Sequence, residues 1–354
     1  MSPDPLTDVL ASVRLTGAVF FAVEGTAPWV AESPPASIIS GRVMPEVDHV
    51  LEFHAVTRGH CLGGILGEEP MRLEAGDVIC FPHGDPHVLS SSRGMRAPLD
   101  DLSLFQRAPG DRIPVPLKLG KGPVEAHILC GFLGYDARPF NPLLATLPRV
   151  LCASDRDGPP GGWLSWFMKV AEAEARSPRP GGEAVLARLS ELMFVEIVRR
   201  HLESLPPDRT GWLAGLRDPY VGKALAALHA RPGSPWTIDA LGREAGMSRS
   251  ALTERFTALV GEPPMRYLGR WRMQVAAGLL TRTHDGIAGI GARVGYASEA
   301  AFNRAFKKMV GVPPATWRRR RTRPPTPRSD WQPTSDRMTS TQLLPPAHGA
   351  IHTG

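Results

Sequence analysis

The sequence predicts a multidomain α+β protein: a small all-β barrel or sandwich, a helical connector, and an all-α C-terminal domain built on two helix-turn-helix units. Three observations carry this. Short alternating apolar runs, broken by Gly, Pro and Asp, mark the N-terminal half. One phrase occurs twice near the C-terminus, first as "VGEPPMRYLGR" and again as "VGVPPATWRRR". Charge is also unevenly divided: residues 219–320 carry 16 Lys+Arg against 6 Asp+Glu, residues 321–354 carry 4 against 2, and the remainder carries 21 against 27. A basic domain beside an acidic one points to a polyanionic partner, nucleic acid first.

With 354 residues and 42% apolar content, the chain can bury a substantial core. Its first segment, "MSPDPLTDVLASVRLTGAVFFAVEG", lacks a basic start followed by a long apolar stretch, and no later run approaches the ~20 apolar residues of a membrane span. The expectation is a cytoplasmic protein without a membrane partner. Four cysteines with no CxxC pair argue against a disulfide framework or a zinc ribbon.

The β-type runs are "VDHVLEFHAVTRGHCLGGILG", "MRLEAGDVICFPHGDPHVLSS" and "VEAHILCGFLGY". Within the second, Gly76, Pro82, Gly84 and His87 reproduce the spacing of the second cupin motif. The segment from about residue 8 to 155 therefore resembles the cupin-type ligand-binding domain of one branch of bacterial regulators. In cupins the first motif normally supplies two His and a Glu as metal ligands. His54 and His60 lack the HxH spacing, Ser91 stands where Asn is usual, and His87 with His83 falls short of the three or four convergent ligands a metal requires. No metal and no cofactor are expected. The resemblance implies an empty barrel that receives a small-molecule effector, with His54, Phe81, His83 and His87 as its expected wall. Cys130, in "ILCGF", sits where that branch often has a cysteine and is the candidate for redox sensing, with Cys61, Cys80 and Cys152 as conceivable partners.

Residues 160–205 read as a helical connector that packs on the barrel or pairs two protomers in a homodimer. "WLSWFMKVAEAEAR" ends at "SPRPGG", and Leu186, Leu189, Met193, Ile197 and Leu202 recur at helical spacings. The cluster of Trp163, Trp166 and Phe167 reads as core.

The repeat resolves into two copies of one unit. An offset of fifty places Ser248 on Ser298, Leu252 on Phe302, Phe256 on Phe306, Gly261 on Gly311, Pro264 on Pro314 and Tyr267 on Trp317. Upstream the offset is 49, matching Ile238 with Ile287, Leu241 with Ile290 and Gly246 with Gly295. Each copy spells helix, Gly-containing turn, helix. Thr237 caps the first helix, Gly246 ends it in a left-handed turn, and Ser248 caps the next. Two helices so joined can lay the second in the DNA major groove. The positions opposite the apolar stripe are Ser250, Thr253, Glu254 and Thr257 in the first copy, and Ala300, Asn303, Arg304 and Lys307 in the second; Arg249 and Glu299 complete the candidate DNA-binding set. Arg304 can fork onto guanine and Asn303 can reach a base edge or a phosphate, whereas Glu254 can only accept from cytosine. Arg249, Arg266, Arg270, Arg272, Lys308 and the run Arg318 to Arg321 read as phosphate contacts or a solvated basic surface.

"AGMSRSALTERFTALVGEPPMRYLGRWRMQVAAGLL" and "IGARVGYASEAAFNRAFKKMVGVPPATWR" together resemble the DNA-binding domain of the AraC/XylS family over residues 219–320. The resemblance implies sequence-specific binding to double-stranded promoter DNA and contact with RNA polymerase, usually as an activator. Ser250 and Ala300 are small where family members often carry larger base-contacting side chains. The alternatives are a metal-dependent cupin enzyme fused to a DNA-binding domain, and an architectural DNA-bender without sequence preference. The segment 322–354, rich in Pro, Ser and Thr without periodicity, reads as a disordered tail.

Overall fold

The computed structural model describes residues 4–322, apart from 13–14, 46, 48, 98–101, 106–112, 136–138, 157–161, 178 and 207–208. The segment expected to be a disordered tail lies outside the described residues from 323 onward.

Nine strands of the described residues form one curled sheet: β1 (Thr16–Thr26), β2 (Val30–Ser33), β3 (His49–Ile65), β4 (Met71–Glu74), β5 (Asp77–Phe81), β6 (His87–Ser90), β7 (Val115–Leu119), β8 (Val124–Tyr135) and β9 (Leu151–Ser154). The main path runs β2-β6-β3-β8-β1-β7, with β4 and β5 also on β3, and β9 on β5. β7 pairs parallel to β1, and the other pairs are antiparallel. β3 curls the sheet. Its first half lies between β5 and β8, a register shift falls between Val56 and Arg58, and its second half pairs with β4 and β6.

The two-residue period of β3 decides what faces what. Leu51, Phe53 and Ala55 join the cluster that packs under the helices, while Val50 and Val56 join the cluster inside the barrel. Glu52 and His54 share the parity of the inward set, so two polar groups are carried into an apolar interior.

Helix α1 (Pro5–Ser12) precedes β1, and α2 (Ala36–Val43) follows β2. The connector is α3 (Trp163–Arg176) and α4 (Gly182–Ser204). α4 lies directly on β1: the amide of Gly17 donates to Glu191 Oε1 at 3.2 Å, and a Cβ at Gly17 would stand 2.3 Å from the Ala187 carbonyl oxygen. Only glycine permits that approach. Phe167 is buried, but Trp166 is 50% exposed and lies outside the core to which the sequence reading assigned it.

The C-terminal helices are α5 (Trp212–Arg217), α6 (Val221–Ala230), α7 (Ile238–Ala245), α8 (Arg249–Val260), α9 (Pro264–Arg282), α10 (Ile287–Arg293), α11 (Glu299–Val310) and α12 (Pro314–Thr322). The repeat is realised residue by residue. The Ser248 and Ser298 hydroxyls accept from the amides of Ala251 and Ala301, and each reader helix ends at a left-handed glycine, Gly261 or Gly311. Leu252, Phe256, Phe302 and Phe306 are fully buried, each contributing about 1.5–3 kcal/mol of apolar burial.

The cores are shared unequally. One buried cluster runs from Leu6 and Val9 through the outer face of the barrel and α4 into Trp212, Leu252, Phe256, Tyr267 and Trp271. The second helix-turn-helix unit has its own cluster around Met273, Ile290, Phe302, Phe306 and Trp317.

Candidate functional site

The helix-turn-helix units hold α8 and α11 by one side and leave the other free. On α8, Arg249, Ser250 and Glu254 are exposed and Thr253 and Thr257 half-buried, and all five line one open groove. Two hydroxyls there are already committed as donors, Thr253 to the Arg249 carbonyl at 2.8 Å and Thr257 to the Thr253 carbonyl at 2.7 Å. They retain acceptor capacity and methyl groups. On α11, Glu299, Ala300, Arg304 and Lys307 are exposed and Asn303 half-buried. Among the described residues, Arg304 and Lys307 make no ion pair, so their charge is available to an incoming polyanion.

Most neighbouring cations are engaged. Arg255 places two donors on Asp218, at 2.8 and 2.6 Å. Arg272 is half-buried and donates to the carbonyls of Pro232 and Ser234 at 2.7 and 2.8 Å. Arg270 pairs with Glu262 at 3.1 Å, and its guanidinium lies 4.0 Å from the centroid of the Phe140 ring. Arg318 donates to the carbonyls of Leu280 and Asp285 at 3.1 and 2.6 Å. Arg270, Arg272 and Arg318 thus tie off groups within the domain, where the sequence suggests phosphate contacts or a solvated basic surface. Sequence reasoning missed this because an arginine that ties off a carbonyl looks the same in a sequence as one on a free surface.

The second constellation lies inside the barrel, in a cavity of about 240 Å³. Glu52, His54, His87 and Cys130 line it. His87 is fixed on both sides: Phe81 stacks on its ring at 3.7 Å between centroids, and its Nδ1 lies 2.8 Å from the Asp85 carbonyl. A carbonyl only accepts, so Nδ1 carries the proton and Nε2 is an acceptor. His54 Nε2, 2.7 Å away, then donates to it, and His54 Nδ1 is left bare. Glu52 Oε2 stands 3.6 Å from His87 Nε2. Burial pushes the Glu52 carboxyl up to about 8 and the His87 imidazole down to about 4. Burial, and then the neighbouring His87, hold His54 well below its ordinary value. The contact between Glu52 and His87 is therefore one of neutral groups near pH 7.

Of the four expected wall residues, His54 and His87 line this cavity. His83 does not: its Nε2 bonds the Leu147 carbonyl at 2.9 Å. Phe81 sits behind His87 rather than on the wall. Glu52 was missed by the sequence reading, although its two-residue spacing from His54 on an alternating strand was a usable signal. It also corrects the conclusion that metal ligands are lacking, since Glu52, His54 and His87 offer ligand atoms that all lie within 4.8 Å of one another. These three would hold a divalent ion, which would supply Lewis-acid chemistry. Two imidazole nitrogens on a tetrahedral zinc sit about 3.3 Å apart, given bonds of ~2.05 Å. The histidine pair would have to open and His54 surrender its Nε2 proton. Cys130 is buried and its thiol is pushed far up by burial, the opposite of a reactive thiolate; Cys152 is exposed, its thiol pushed up to about 11.

Comparison with known proteins decides the lineage. A cupin family model matches residues 4–203 and a helix-turn-helix domain model matches residues 241–320. A putative AraC-like transcription regulator of Streptomyces lividans is 33% identical over 323 residues, covering 91% of this chain and 100% of the relative. The chain belongs to the AraC/XylS family of transcription regulators. The regulator is also 27% identical over 274 residues to the RCS-specific HTH-type transcriptional activator RclR of Escherichia coli K12, covering 77% of this chain and 85% of that one. The crystal structure of the DNA-binding domain of AdpA with a target DNA is similar over 29% of this chain and 92% of that one, at 26% identity and a TM-score of 0.28. This regulator is a DNA-binding protein with an N-terminal cupin domain.

Proposed function

We propose that the regulator binds one asymmetric promoter site by laying α8 and α11 into successive major grooves on one face of the duplex, about one turn (~34 Å) apart. The observation that carries this is the pair of capped reader helices, alike in their buried stripes and different in their outward faces. The α11 face, with Arg304, Asn303 and Lys307, makes the stronger contacts; the α8 face, with Ser250, Thr253, Glu254 and Thr257, reads weakly while Arg249 holds a phosphate.

The barrel cavity receives a small-molecule effector, and the signal passes to the readers through the contacts the two halves share. The amide of Phe140, just after β8, donates to Gln274 Oε1 on α9 at 3.0 Å, and α1 packs on α6 and α9. Bound at a promoter in the cytoplasm, the regulator activates by contacting RNA polymerase and is not an enzyme.

Selecting genomic fragments with the purified full-length protein at moderate salt tests this reading. Enrichment of a few promoters sharing one asymmetric motif is expected; uniform recovery, varying only with salt, would mean an architectural binder. The convergence of Glu52, His54 and His87 favours one rival, a metal-dependent cupin enzyme. One Fe, Mn or Zn per chain in the purified protein would support that rival.

A further inference from the structure

The shape and polarity of the barrel cavity restrict what can fill it. At about 240 Å³ it exceeds the ~150 Å³ cavity that accepts a benzene. Most of its wall is hydrocarbon, with Phe21, Trp29, Leu89, Phe105, Ile128 and Phe132 among the lining residues. Among the described residues no Lys or Arg lines it, and Glu32, on the wall, is held by two donors of Arg96 at 2.8 and 2.9 Å. An anion would find no counter-charge among these lining residues. A polyhydroxylated molecule would bury several hydroxyls against hydrocarbon, each costing about 1–3 kcal/mol when unpaired.

One end of the cavity nevertheless lacks partners. Among the described residues, Glu52 Oε1, His54 Nδ1 and Trp29 Nε1 on this wall have no hydrogen-bond partner, although these residues are only 1%, 5% and 2% exposed. Buried polar atoms are almost always paired, so the Glu52 oxygen and the His54 nitrogen, carried two residues apart on β3, mark the place of a missing polar group, and the Trp29 N–H offers it one donor.

We infer that the cavity binds an uncharged, predominantly hydrocarbon molecule carrying a single hydroxyl or equivalent group, which pairs with Glu52 Oε1 or His54 Nδ1. This rests on the reading of the barrel as the effector-sensing domain. The apolar body fills the space between the aromatic walls, and the one polar group sets its orientation. Glu52 is then a specificity residue: it makes a polar end preferable to a methyl end.

The test is calorimetric titration and thermal shift of the full-length protein with 1-octanol and 4-ethylphenol as neutral monohydroxyl probes, octane as the hydrocarbon, octanoate as the anion, glucose as the polyol, and Zn²⁺. At least one neutral probe is expected to raise the melting temperature and bind at least tenfold more tightly than octanoate or glucose. Glu52→Leu, which replaces a buried carboxyl with one unpartnered oxygen by a hydrocarbon of similar size, should fold and should bind octane as well as octanol. Leu117→Trp, on a half-buried wall position, should abolish binding of every probe. Tighter binding of octanoate or glucose would overturn the ligand class while leaving the barrel a sensor. One Zn²⁺ per chain, lost in Glu52→Leu, would overturn it in favour of a coordination centre. Failure of every probe would overturn it as well. If Leu117→Trp then also leaves promoter output in cells unchanged, the effector reading falls with it.

Discussion

At the scale of single residues, the division between arginines that read and arginines that brace is the most consequential feature of the DNA-binding half. Arg304→Ala is expected to relax specificity at one base pair and cost about 1–3 kcal/mol on the cognate site. Competition between cognate and random duplexes measures this, and equal losses on both would refute the base-reading role. Arg270→Ala should instead lower the melting temperature, because it strips one partner from Glu262, 9% exposed, and should leave the salt slope of DNA binding unchanged. His229 makes a second residue-scale prediction. It stacks on Trp271 at 4.0 Å and shares a 2.7 Å hydrogen bond with Tyr267, and burial lowers its imidazole to about 3. Between its ordinary 6.5 and that value, the unfolded chain takes up a proton that the folded chain refuses. The stability is present above pH 6.5 and drains away as pH falls, at about 1.4 kcal/mol per unit. The gap in melting temperature between the parent and His229→Phe should narrow as pH drops from 6.5 towards 4; a constant gap would contradict the assignment.

At the scale of elements, the caps and turns were legible because each is a local requirement. Ser248 and Ser298 accept from the third amide onward, as an N-cap serine does, and Gly246 and Gly295 take the left-handed turn at φ 77° and 84°. Ser298→Ala should therefore cost about 1 kcal/mol and lower affinity for DNA through fraying of the α11 N-terminus, which circular dichroism melting and a binding isotherm would separate. Strands in the first half were equally readable as alternating runs. What alternation alone did not yield was the content of the barrel. Glu52 and His87 are 35 residues apart in the chain and meet only because β3 and β6 pair at Ile65 and His87 while β3 bends back past Glu52. His83 was misassigned for the same reason, since the turn before β6 sends it to the Leu147 carbonyl, away from the cavity. Periodicity reports which face a residue occupies on its own strand, and tertiary pairing reports what it meets.

At the scale of the whole molecule, the continuous core joining barrel, connector and first reader is the property least visible in the sequence, because it requires contacts between Leu6 or Val9 and residues beyond 210. An isolated DNA-binding half would lose part of this core. Residues 206–354 expressed alone would expose the side of Trp212, Tyr267 and Trp271 that α1 and Phe140 cover, and should melt well below the full chain while retaining the self-contained core of the second reader. A fragment as stable as the full-length protein would show the shared core to be energetically idle. Signal transfer belongs to the same interface: Phe140→Ala should leave DNA affinity without effector within about twofold while reducing the effector-dependent change in it, which anisotropy titrations with and without the bound probe would detect. The most direct test of the central claim, that one chain reads two unlike half-sites, is hydroxyl-radical footprinting with stoichiometry on a selected promoter. One protein per site should protect two major-groove segments about one turn apart on a single face, with the segment under α11 alone altered by Arg304→Ala. A symmetric footprint that requires two chains, or a single protected segment insensitive to Arg304, would contradict it.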